Sequence, residues 1–160
     1  MGYMLTIQHD GQLTEDQAEF CLNTKAMGRH VRLMIDIGMA HDTGKGPTWD
    51  PQHPTATTGS APTIPSHKLA GGNEEWWTTV EEITAALAVW DAQAEDSTRR
   101  LVESFERYSA LPDEQWDHHF EQHRYDTAGI LDLGTMHPDS WAEWIDYLRL
   151  AAAHDGFRNS

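Results

Sequence analysis

His119, His123 and Asp126 are the residues of this chain whose types and spacing come nearest to chemistry. On a helix they fall within about 60° of one another, so two imidazoles and a carboxylate line one flank beside the apolar positions Trp116, Phe120 and Thr127. Such a set can hold a divalent transition metal and leave positions open for water, the starting point of a metal-dependent enzyme. The same triplet also suits boundary residues of an amphipathic helix. No His-Glu-x-x-His pattern is present, and His118 falls on the other side with Glu114 and Glu121. The leading expectation is therefore no cofactor, with a metal as the alternative.

Other catalytic templates fit less well. There is no Gly-x-Ser-x-Gly elbow, no dinucleotide fingerprint and no paired cysteine motif. The string from Gly44 to Thr48 has the lysine of a phosphate-binding loop, but Gly46 follows Lys45 and helical periodicity, not a strand, precedes it. Cys21 is the single cysteine, so it forms no internal disulfide and fits a reducing compartment. Between Phe20 and Leu22 it reads as a buried, inert thiol.

Binding residues are easier to nominate than catalytic ones. Lys25, Arg29 and Arg32 make one basic stripe in an acidic chain, able to take an anion or to pair internally. Trp76 and Trp77 are adjacent, so both cannot face one core, and one is expected to project as an interface anchor. Trp49 is the largest apolar residue of a long loop and joins them as a candidate contact.

These residues sit in a chain of 160 residues with 39% hydrophobic content and seven Trp, enough for one domain with a real core. No apolar run approaches the ~20 residues that cross a bilayer, and residues 1–7 lack the basic flank and long apolar core of a signal segment. The net charge of −15 is uneven: residues 1–40 carry five acids and three bases, 41–72 two of each, and 73–160 nineteen acids and six bases. That field repels phosphate backbones, so direct nucleic-acid binding is not expected.

The elements follow from periodicity and caps. Thr14 with Gln17 has capping-box spacing, and Lys25, Arg29, Arg32 and Asp36 continue as one polar stripe on an otherwise apolar circumference. This predicts a long helix over 14–40, preferred to a strand over Val31 to Ile37. Residues 1–13 form an N-terminal segment in which Tyr3 to Gln8 is a short strand or a tethered tail. Five of seven prolines mark an extended loop over 41–72. Four helices are predicted in 73–160. Thr79 with Glu82 caps the first, Leu101 and Phe105 lie in the second, and Pro112 opens the third. Ser140 with Glu143 caps the fourth, and Gly156 stops it.

The runs Ile64 to Leu69, Gly71 to Trp77 and Glu81 to Leu87, with Trp144 to Arg149 and the closing Gly156-Phe157, resemble small proteins of actinobacteria and their phages that have no established activity. The resemblance implies an accessory protein and no reaction. The expectation is thus a mainly α, single-domain helical bundle with a long central N-terminal helix and a long Pro/Thr/Gly-rich loop. Its expected role is a non-enzymatic interaction module, binding a protein partner or itself in the cytoplasm, or in a virion if of phage origin. The alternatives are the metal-dependent enzyme and an acidic inhibitor that mimics nucleic acid.

Overall fold

The computed structural model describes residues 2–43, 63–70, 75–110 and 136–159, without the side chains of Lys25, Ala70 and Tyr108. Trp49, most of the 41–72 loop, the expected third helix and His119, His123 and Asp126 lie outside the described residues. The chain divides into two compact units, Met1–Ala92 with Ile145–Ser160, and Gln93–Trp144.

The first unit is built on a four-stranded antiparallel sheet, which replaces the expected helical bundle with an α+β fold. Its strands are β1 (Gly2–Ile7), β2 (Glu19–Asn23), β5 (Trp76–Thr78) and β6 (Phe157–Asn159), in the order β2-β1-β6-β5. Leu5 and Ile7 on β1, Phe157 and Asn159 on β6 and Thr78 on β5 are buried on one face. A second, two-stranded parallel pair joins β3 (Ala40–His41) to β4 (Ile64–Pro65).

The helix expected over 14–40 is broken in two by β2. Thr14 does make its capping box: the Gln17 N–H donates to Thr14 Oγ1 at 3.3 Å and the Thr14 N–H to Gln17 Oε1 at 3.0 Å. The resulting α1 (Glu15–Ala18) is one turn long, because Glu19 is already extended. From there Phe20 and Leu22 alternate with exposed Cys21, and the strand pairs Tyr3 with Leu22 and Leu5 with Phe20. Counted on a helix, Phe20 and Leu22 looked like one apolar circumference; counted in twos, they share one face of a strand. The same alternation turns Cys21 outward, correcting its expected burial.

The helix then resumes as α2 (Thr24–Ile37), as the uninterrupted polar stripe predicts. Asn23 caps it by accepting from the Ala26 N–H at 2.8 Å, and Gly38 ends it at φ +87°. Met27, Val31 and Met34 are fully buried on its inner side, which packs on β1 and β2. The short α3 (Ser66–Ala70) packs on α2 and β5, and α4 (Val80–Asp91) on β4. The α4 capping box forms as its spacing predicts, and Ile83, Ala86, Leu87 and Trp90 make its buried face.

In the second unit α5 (Ala94–Ser109) buries Ser97, Leu101 and Ser104, and the Phe105 and His137 rings meet edge to face at 4.8 Å. The last helix, α6 (Pro138–Ala152), starts two residues before the expected Ser140 cap. Pro138 takes the first-turn position, where a missing N–H costs nothing, and His137 Nδ1 accepts from the Asp139 N–H at 3.1 Å. Trp141, Trp144, Ile145, Leu148 and Ala151 are buried along it. Among the described residues no helix is long and apolar enough to cross a membrane.

Candidate interaction face

Two places bring functional groups together within the first unit. One is a hydroxyl and imidazole cluster where β3 and β4 run side by side. Ser66 Oγ accepts the Thr43 N–H at 3.0 Å and lies 3.1 Å from Thr43 Oγ1, which is 2.9 Å from His67 Nδ1. His41 Nδ1 meets Thr63 Oγ1 at 3.2 Å across the strand pair. Lys68 Nζ donates to Glu82 Oε1 at 2.6 Å, both side chains largely shielded. Burial holds the His41 imidazole below its ordinary range, with Glu82 opposing and Lys68 assisting.

A serine, a threonine and an imidazole in a chain would suit nucleophilic chemistry, but Ser66 is fully buried and no substrate carbonyl can reach its oxygen. The groups satisfy one another and the ends of β3 and α3 instead. The cluster is a joint of the fold.

The second place is the outer face of the four-stranded sheet, exposed among the described residues at Met4, Cys21, Trp77 and Arg158. Antiparallel pairing sets Trp77 opposite Arg158, Arg158 opposite Thr6, and Thr6 opposite Glu19. Residues directly opposite share a face, so these four form one row across all the strands. Beside it, Met4 stands opposite Cys21. Trp77 and Met4 are each 40% exposed, the two large hydrophobic residues that stand out from the described surface.

Trp77 is exposed yet fixed. Its Nε1–H donates to the Asp155 carbonyl at 2.9 Å, and the Arg158 guanidinium lies 5.9 Å from its ring centroid, within cation–π range. Trp76, one residue back, points to the other side of the strand and meets the His67 ring at 4.5 Å.

The other nominated contacts lie elsewhere. Arg29 and Arg32 are half-buried along α2 and do not join the row with Trp77. Burial lowers the Arg29 guanidinium from its ordinary range. Desolvation pushes the Asp36 carboxyl up to about 6, an effect the nearby Arg32 charge opposes. Among the described residues no group of three or more His, Cys, Asp or Glu is arranged to hold a metal.

Arg158, Thr6, Glu19 and Met4 were not nominated from sequence. The signal that reaches them is alternation: Met4-Leu5-Thr6-Ile7 and Phe157-Arg158-Asn159 each put every second residue inward, which leaves Met4, Thr6 and Arg158 facing out. Comparison with protein families, with curated proteins and with solved structures finds no match to this chain.

Proposed function

We propose that this chain is a protein-interaction module that binds through the open face of its sheet, with Trp77 as anchor and Arg158 beside it. The observation that carries this reading is the held indole. An exposed Trp tied at Nε1 and backed by a guanidinium loses little conformational freedom on binding, which is what an efficient anchor requires. The acidity of the chain opposes phosphate backbones, so the ligand we assign is a protein and not a nucleic acid. The single exposed cysteine suits a reducing compartment, and we place the module in the cytoplasm, as an accessory protein.

The test is affinity capture from the native cells with the parent protein, Trp77→Ala, Arg158→Ala and, as a control outside the row, the exposed Asp91→Ala. A protein retained by the parent and the control, and reduced about tenfold or more by either face variant, is the expected result. Retention that ignores both face variants overturns the reading.

A further inference from the structure

We propose that the open face binds a second copy of this chain, face to face, about a two-fold axis that runs along the strands. The inference rests on the reading of that face as an interaction surface and adds what occupies it. Its basis is the charge order of the row. Arg158 and Glu19 carry opposite charges, stand two strands apart, and neither has an ion-pair partner among the described residues. Within one chain the Arg158 guanidinium lies over Trp77 on β5, on the side of its strand away from Glu19 on β2.

A rotation about an axis parallel to the strands reverses the row, laying β5 of one copy over β2 of the other. Glu19 of each copy then stands opposite Trp77 of the other, beside the guanidinium that Arg158 holds over that indole, twice by symmetry. Packed sheets lie about 10 Å apart, a gap that an arginine and a glutamate span from opposite sides. Rotation about an axis along the row would instead set Arg158 on Arg158 and Glu19 on Glu19, which like-charge repulsion disfavours. Charge thus selects one of the two face-to-face arrangements. Trp77 and Met4 supply the apolar surface, and the guanidinium can keep its place over the indole while its N–H groups take the carboxylate.

Each copy also carries a net charge of −15, so the two repel at long range. Salt screens that repulsion, and association should strengthen as ionic strength rises from about 20 mM to about 200 mM. A basic partner docking on the same face would show the opposite trend.

The experiment is sedimentation equilibrium on the full chain over a wide concentration range. The expected mass rises from 18.1 kDa towards twice that value. Glu19→Arg and Arg158→Glu should each raise the dissociation constant about tenfold or more. Mixing those two variants should restore association, because one then offers two cations and the other two anions. The double variant carrying both changes in one chain should associate like the parent, and circular dichroism checks that every variant is folded. A constant monomer mass, indifference to either charge reversal, or failure of the mixture to associate overturns the dimer. If the mass stays monomeric while Trp77-dependent capture of a different protein persists, the interaction face stands and the second copy is excluded.

Discussion

Gly156 sits against Thr78 so closely that a Cβ built on it would stand 2.1 Å from the Thr78 carbonyl oxygen. Its backbone is left-handed, at φ +73°, and its N–H donates to the Ala151 carbonyl at 3.1 Å as the chain turns from α6 into β6. Position 156 therefore needs glycine twice over, for the torsion and for the close approach of β5. Gly156→Ala should lower stability by about 2 to 4 kcal/mol, a strained φ plus a backbone clash. The same Cβ would lie 3.2 Å from Trp77 Nε1, so the indole fluorescence should change with it. Denaturant unfolding followed by both circular dichroism and fluorescence checks this; an unchanged midpoint would refute the close packing of Gly156 on Thr78.

That relationship also shows where sequence reading stops. Gly156 is legible as a helix stop, because a glycine after an apolar stripe has a local meaning. Its second duty, making room for Thr78, depends on a strand 78 residues earlier and leaves no local trace. The same division runs through the fold. The periodicity and capping box of α4 lie within one stretch of chain and that helix stands where they put it, whereas α2 fills only the part of the expected 14–40 helix that carries the polar stripe. Glu19 to Asn23 is a strand only because Gly2 to Thr6 pairs with it, and five residues after a helix cap look like more helix until the partner is known. The row of Trp77, Arg158, Thr6 and Glu19 draws one residue from each of four strands. Trp77 could be nominated by its neighbour Trp76, whereas the other three acquire meaning only through the register.

Asp36 gives the fold a pH signature. Its carboxyl is raised from the ordinary 3.8 to about 6 by desolvation, with Arg32 pulling the other way. Between those two values the folded chain holds a proton that the unfolded chain has released, so this residue's contribution to stability falls as pH rises through the window. Below it both states are protonated; above it the full penalty applies. Asp36→Asn should remove this slope and leave the variant more stable than the parent at pH 7. Asp36 is open to solvent on one side, so the gain is small. Exposed pairs such as Asp91 with Arg149 contribute with the opposite sign, since hydrogen bonding to the guanidinium lowers the Asp91 carboxyl. The measurement is accordingly the difference between parent and variant midpoints at pH 4, 5, 6 and 7. A difference that does not change across that range would count against the raised carboxyl.

Glu82 does three jobs with one oxygen. Its Oε1 accepts from Lys68 Nζ at 2.6 Å, from the Thr79 N–H at 3.0 Å and from Thr79 Oγ1 at 3.0 Å, so it caps α4 and neutralises a largely shielded ammonium together. Glu82→Gln keeps an acceptor for the cap but removes the charge, and should cost about 1 to 3 kcal/mol because Lys68 is left unneutralised. Glu82→Ala should lose roughly a further 1 kcal/mol with the cap. Lys68→Met added to Glu82→Gln should recover much of the loss, since no unpaired ion then remains. His41 reports the same charges independently: Glu82 raises its pKa and Lys68 lowers it, against a larger lowering by burial. Titration of the His41 ring by NMR should therefore move down in Glu82→Gln and up in Lys68→Met. Stability losses without those opposite movements would place the ion pair away from the β3–β4 joint and separate it from the cluster that His41 anchors.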